Sequence, residues 1–75
     1  MHYDSELDTR GLLCPLPILK TRFKIDTLTS GQVLKVLSTD AGSVRDMEAF
    51  ARQTQNELLD TMVDQGEYVF YLRKA

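Results

Sequence analysis

The segment Leu7–Arg22, LDTRGLLCPLPILKTR, contains the change of pattern that decides the fold. Up to Thr9, polar and apolar side chains alternate, which is typical of a half-exposed β-strand. Arg10-Gly11 then turns the chain, and beyond Cys14 apolar residues recur at helical spacing. The segment therefore predicts a strand, a short loop and a helix, with the single cysteine where the loop becomes the helix.

The rest of the chain continues in short alternating elements. The segments with strand character are Tyr3–Thr9, Gln32–Thr39, Glu57–Asp64 and Glu67–Lys74, and those with helical periodicity are Cys14–Leu28 and Ser43–Thr54. Ser43 is predicted as the N-cap of the second helix, with Asp46 as a capping-box partner. Because strand–helix–strand crossovers are almost always right-handed, both helices are expected on one face of the sheet. Residues 1–75 are thus predicted to form a single domain, a two-layer α/β sandwich of order β-α-β-α-β-β, with two helices on one face of a four-stranded mixed sheet.

Periodicity also predicts which side chains reach the core. In the first helix, Leu16, Leu19 and Phe23 are expected to be buried, with Ile18 and Ile25 widening the stripe. One of the two alternating faces of the last strand is expected to pack beneath the helices. The other predicted core residues are Val44, Met47, Phe50, Ala51 and Met62.

Composition excludes several classes of protein. The 75 residues are 43% hydrophobic and 27% charged, which argues against disorder. A net charge of −2 offers no general attraction for a nucleic-acid backbone. No apolar run is long enough to span a bilayer, and the N-terminus lacks the pattern of a signal peptide. Since Cys14 has no disulfide partner in the chain, we expect a cytoplasmic protein. We also expect the free protein to be a monomer.

The position of Cys14 predicts an activated thiol. If Cys14 is the N-cap, Pro15, Leu16 and Pro17 occupy the first three helical positions. The two prolines lack an N–H group, so the N–H of Leu16 is expected to point at the sulfur. The positive helix N-terminus, aided by Arg10, is then expected to lower the pKa of the thiol.

Several other roles for the thiol are compatible with a single cysteine. A lone cysteine is most often a small buried apolar residue. Catalysis of the papain type needs a histidine base, but the only histidine is His2, near the chain terminus. One cysteine and one histidine form no metal-binding pattern, and there is no CxxC pair to close a disulfide. A single activated thiol can nevertheless carry a group, such as sulfur bound as a persulfide.

The segment LDTRGLLCPLPILKTR resembles the signature of the TusA/SirA-like sulfur-carrier family. The likeness continues through GQVLKVLSTDAGSVRDMEAFAR and YVFYLRK and so covers nearly the whole chain. It implies a β-α-β-α-β-β fold and a sulfurtransferase in which Cys14 accepts sulfane sulfur from a cysteine desulfurase or a related donor. The persulfide is then passed to an acceptor protein, without another cofactor or a metal. The residues predicted to shape the site are Gly11, Pro15, Leu16 and Pro17.

The resemblance leaves the pathway open. Family members serve tRNA thiolation, molybdenum-cofactor maturation or sulfur metabolism, and many carry a Gly-His pair where this chain has Gln55-Asn56. Arg10, Lys20 and Arg22 are predicted to form a basic rim that docks an acidic partner, although a solvated helix face also explains them. The alternative functions are a non-catalytic regulatory or adaptor module that binds a partner protein and, against the acidic charge, an RNA-binding module.

Overall fold

The structure, a computed structural model, describes residues 1–75 and contains six elements in the predicted order. They are β1 (Ser5–Thr9), α1 (Leu16–Ile25), β2 (Val33–Ser38), α2 (Ser43–Thr54), β3 (Glu57–Asp64) and β4 (Glu67–Arg73). The boundaries differ from the predicted ones by a few residues at most. The β3–β4 turn at Gln65-Gly66 has positive φ at both residues, as a tight hairpin requires.

The strands form one mixed sheet in the order β1-β2-β4-β3. β1 and β2 are parallel, with Leu7 opposite Val36, whereas β4 is antiparallel to both of its neighbours. The β3–β4 register shifts between Leu58 and Asp60. Since β1 and β2 run in the same direction, the loops that follow them lie at the same edge of the sheet.

The core lies between one face of the sheet and the two helices. β2 and β4 alternate side chains across the sheet, so residues two apart share the covered face. The buried apolar cluster comprises Leu34, Val36, Phe70 and Leu72 from the sheet and Ile25, Met47, Phe50 and Ala51 from the helices. This arrangement confirms the predicted two-layer α/β sandwich.

The predicted buried face of α1 is wrong for three of its residues, whereas Ile25 is buried as expected and Ile18 packs partly buried against the core. Phe23 is 71% exposed, and Leu16 and Leu19 are 44% and 42% exposed. The helix instead packs through Pro17, Thr21 and Ile25, which lie four residues apart. Thr21 can be buried because its hydroxyl donates to the Pro17 carbonyl at 2.8 Å. The spacing of hydrophobic residues alone therefore predicts the wrong side of α1 as the buried one.

The exposure of Met62 and the start of α2 also differ from the prediction. Met62 is 51% exposed because its register partner is Val69, on the opposite face of the sheet from buried Phe70. The N-cap of α2 is Gly42 rather than Ser43, whose hydroxyl donates to the Asp40 carbonyl at 2.6 Å. The capping box predicted between Ser43 and Asp46 is therefore not formed.

Candidate functional site

The loop that carries Cys14 is held against the turn between β2 and α2. Gly11 has φ of +84° and donates its N–H to the Thr39 hydroxyl at 2.9 Å. The N–H of Cys14 donates to Asp40 Oδ2 at 2.9 Å, and Asp40 Oδ1 accepts the N–H of Gly42 at 3.2 Å. One carboxylate thus ties together the two loops at this edge of the sheet.

The start of α1 lies one residue later than predicted. Its N-cap is Pro15, and the peptide bond that joins Pro15 to Cys14 is cis. The N–H of Leu16 donates to the Leu13 carbonyl at 2.9 Å, so it does not serve the sulfur as predicted. Pro17 is buried in the first turn. Cys14 is therefore placed just outside the helix and presents its side chain to solvent.

The neighbours of the thiol are acidic. Cys14 Sγ donates a hydrogen bond to Asp46 Oδ2, with the two atoms 3.1 Å apart. This hydrogen bond raises the pKa of the Cys14 thiol, and partial desolvation and the negative charges of Asp46 and Asp40 raise it further. The predicted lowering of the thiol pKa is wrong because these carboxylates replace the positive surroundings that the helix N-terminus was expected to provide. The hydrogen bond to Asp46 and the two negative charges therefore favour the protonated form of the thiol.

The predicted basic rim is not assembled around the sulfur. The Arg10 guanidinium forms two hydrogen bonds to the Asp8 carboxylate, each 2.9 Å long, and lies 3.5 Å from a Glu67 oxygen. The guanidinium lowers the pKa of Asp8 to about 2. Because these hydrogen bonds hold the guanidinium at Asp8, it does not neutralise the acidic surroundings of Cys14. Arg22 stacks over the Phe50 ring at 5.5 Å. Lys20 is exposed and forms no ion pair.

A shallow cavity of about 240 Å³ opens beside the thiol, between the start of α1 and α2. Its walls are mostly apolar, with the carboxylate of Asp46 as the only charged group. The lining residues are Cys14, Pro15, Ile18, Asp46, Ala49, Phe50 and Gln53. The cavity leaves room beside the sulfur for a small adduct or for a side chain of another protein. The structure contains no cluster of three His, Cys, Asp or Glu side chains able to hold a metal ion.

Comparison with known proteins agrees with this architecture. Residues 5–74 match the family described as Sulfurtransferase TusA. The chain belongs to the TusA family. It is 48% identical to the sulfur carrier protein TusA of Allochromatium vinosum, over 97% of this chain and 96% of that protein. The sulfur carrier protein TusA of Pseudomonas syringae is 35% identical, over 95% of this chain and 84% of its relative.

A solved structure supports the fold independently. The crystal structure of a SirA-like protein from Desulfitobacterium hafniense superimposes with a TM-score of 0.83, covering 93% of this chain and 96% of that one. The two sequences are only 19% identical, so this likeness concerns the fold alone. The sequence comparisons confirm the predicted family and a sulfur-carrier role, and the structure comparison confirms the fold. No helix has the length and apolar character needed to cross a membrane.

The departure of this TusA-family chain at Gln55-Asn56 has a structural explanation. Gln55 adopts the left-handed conformation, with φ of 62°, and ends α2 as a glycine commonly does. Asn56 is buried, donates to the Thr54 hydroxyl at 2.8 Å and accepts the N–H of Ala75 at 2.8 Å. The pair therefore closes a helix and ties down the last residue, and it takes no part in the cavity beside Cys14.

Sequence reasoning missed Asp40 and Asp46 as site residues. The sequence pattern predicts that Asp46 caps the start of α2, whereas in the structure its carboxylate forms its only hydrogen bond with Cys14. The available signal was topological: parallel strands end at the same edge of a sheet, so residues after β2 approach the loop after β1. That rule identifies Asp40 from the strand order, but the position of Asp46 depends on how α2 packs.

Proposed function

We propose that this protein carries sulfane sulfur as a persulfide on Cys14, receiving it from a cysteine desulfurase or a related donor and delivering it to an acceptor protein. The observation that carries the proposal is an exposed thiol, without a disulfide partner, beside an open cavity in a TusA-family chain. A group transferred between proteins has to be reachable by both of them, and this position satisfies that requirement.

Uptake and delivery use the same exchange in opposite directions. In uptake, the Cys14 sulfur attacks the outer sulfur of the donor's persulfide. A new S–S bond forms to Cys14, the donor's S–S bond breaks, and the donor's thiolate takes up the proton that Cys14 releases. No net oxidation or reduction occurs, so the carrier needs neither a redox cofactor nor a metal. By this mechanism the protein is a sulfurtransferase that acts within a relay.

An exposed apolar stripe, which begins in the loop before α1 and continues along the helix, supports docking of a protein partner next to the thiol. Its members, Leu13, Leu16, Leu19 and Phe23, are exposed by 71%, 44%, 42% and 71%. Exposed apolar residues grouped in this way mark interaction surfaces. The helix carries Lys20, Arg22 and Lys24 and no acidic residue, which suits a partner surface with negative charge.

Loading with sulfur tests the proposal directly. The protein is incubated with a cysteine desulfurase and L-cysteine, and its intact mass is measured before and after treatment with a reductant. We expect the mass to rise by one sulfur atom and to return to its original value on reduction. The Cys14→Ser variant serves as the control. If the variant gains the same reducible mass as the wild type, Cys14 is not the carrier residue.

A second function is favoured by the same stripe. A non-catalytic adaptor or regulatory module would use α1 to bind its partner and would not need the thiol. Complementation of a deletion strain separates the two functions: a sulfur carrier loses activity on Cys14→Ser, whereas an adaptor retains it. Replacement of Phe23 by serine would impair either function, because both use the stripe for docking, so Cys14→Ser is the deciding variant.

The pathway served and the cellular compartment are parts of the same proposal. A single thiol that must remain reduced suits the cytoplasm, where disulfides are rare. TusA-type carriers supply tRNA thiolation, molybdenum-cofactor maturation or sulfur metabolism, and deletion strains assayed for thiolated tRNA and molybdoenzyme activity would distinguish these routes.

A further inference from the structure

Asp46 is the charged group in direct contact with the reacting atom. Its Oδ2 accepts a hydrogen bond from Cys14 Sγ across 3.1 Å. A carboxylate in the first turn of a helix usually accepts a backbone N–H or simply faces the helix dipole. The Asp46 carboxylate accepts no backbone hydrogen bond, and the thiol is its only hydrogen-bonding partner. Capping of α2 therefore does not account for its position.

The other charged groups around Cys14 reinforce this contact. From the β2–α2 turn, Asp40 accepts the N–H of Cys14 and brings a second negative charge to the site. From the preceding loop, Arg10 is engaged by Asp8 and Glu67. In α1 the first charged residue is Lys20, and the rest of the cavity lining is neutral. Arg22 of α1 lies over the Phe50 ring, 5.5 Å from its centroid, and no cation is among the causes of the raised pKa of the thiol.

We propose that Asp46 determines the selectivity of the carrier: by holding the Cys14 thiol in a hydrogen bond to its carboxylate, it suppresses reaction with small molecules until a partner protein docks. This inference rests on the proposed function, because selectivity matters for a thiol that must react only with particular proteins. Thiols react as thiolates, so a protonated thiol is slow toward small electrophiles in solution. The cavity that contains both groups is open, and a docked partner can reach the hydrogen bond and break it.

The pH dependence of thiol alkylation tests this role without any sulfur donor. The rate at which iodoacetamide, a neutral electrophile, modifies Cys14 is measured by intact mass across the pH range in which the thiol titrates. Asp46→Asn preserves the size of the side chain and removes its charge. We expect the apparent thiol pKa to fall and the alkylation rate at neutral pH to rise about three- to fivefold, because the larger thiolate fraction is partly offset by the lower nucleophilicity of a less basic thiolate.

Two further variants distinguish the hydrogen bond between Asp46 and Cys14 from a general effect of negative charge and from a structural effect of the substitution. Glu48→Gln removes the same charge from an exposed position two residues along α2 and is expected to leave the rate within about twofold of wild type. Asp46→Glu keeps the carboxylate and is expected to retain most of the suppression. Circular dichroism checks that each variant is folded.

Three results would overturn the inference. The first is a wild-type thiol pKa at or below the ordinary value of about 8.5. The second is an equal effect of Asp46→Asn and Glu48→Gln, and the third is no faster alkylation of Asp46→Asn. Loading by the desulfurase is measured separately on the wild type. If loading fails, the proposed function fails, while the alkylation comparison still decides whether Asp46 suppresses the thiol.

Discussion

Single residues in this protein take conformations that their type does not favour, and Gln55 is the clearest case. It ends α2 with φ of 62°, a left-handed conformation in which a side chain costs about 1 kcal/mol relative to glycine. Asn56 follows, and both polar atoms of its side chain have a hydrogen-bond partner, so the turn is needed to bring Asn56 to the C-terminal segment. The local cost is tolerated because it completes a longer-range connection.

Replacement of Gln55 by glycine should therefore stabilise the protein. We expect Gln55→Gly to raise the free energy of unfolding by up to about 1 kcal/mol, since glycine adopts positive φ without steric penalty. Urea denaturation measures the change. Gln53→Gly, within α2, is the matched control and should lower stability by about 1 kcal/mol. A loss of stability in Gln55→Gly would show that the Gln55 side chain contributes more than its conformation costs.

At the scale of elements, α1 shows a division between a packing side and an exposed side. The packing side contains a proline, a threonine and Ile25, whereas larger apolar residues such as Phe23 face outward. Such an arrangement is poor for stability and useful for recognition. Contacts with the sheet and α2 thus orient α1, and its most hydrophobic side stays exposed to solvent, where a partner protein can bind it.

Two substitutions on α1 should separate stability from docking. Ile25→Ala should lower the free energy of unfolding by about 2–5 kcal/mol, because it empties a buried site. Phe23→Ser should change it by about 0.5 kcal/mol or less but slow persulfide loading by the desulfurase. Val63→Ser, at a site 63% exposed on β3, is the control for loading. Equal loading rates for Phe23→Ser and Val63→Ser would remove the stripe from the docking surface.

For the whole molecule, the site depends on a connection between distant parts of the chain. Asp40 follows β2, yet its carboxylate binds the N–H of Cys14 in the loop that follows β1. The parallel pairing of β1 and β2 brings these loops together, and α2 then places Asp46 beside the sulfur. The surroundings of the thiol are therefore a property of the assembled fold.

Loss of Asp40 should loosen this connection. We expect Asp40→Ala to lower the free energy of unfolding by about 1–2 kcal/mol, because the N–H groups of Cys14 and Gly42 lose their acceptor. Amide hydrogen exchange at Cys14, measured by NMR, should become faster. Asp60→Ala is the control, since that exposed carboxylate accepts a hydrogen bond only from the N–H of its neighbour Thr61. Unchanged exchange at Cys14 in Asp40→Ala would contradict the proposed connection.

Local patterns in the sequence are enough to predict the order of the elements, the two-layer sandwich and the place of Cys14 at the start of α1. These features follow from patterns within short segments: alternation in β1, helical spacing in α2, glycine at the turns and prolines around the cysteine. The motif around Cys14 also identified the family, because its residues are contiguous in the chain.

Tertiary packing, by contrast, sets which side of α1 is buried and which groups surround the thiol. Periodicity places Leu16, Leu19 and Phe23 on one side of a helix, but the packing of that helix against the sheet determines which side is covered. Likewise, proximity in sequence suggested Arg10 as the neighbour of the sulfur, whereas the fold turns Arg10 toward Asp8 and brings in Asp46 from α2. Electrostatic effects depend on distance in space, and for residues 32 positions apart in the chain only the folded structure sets that distance.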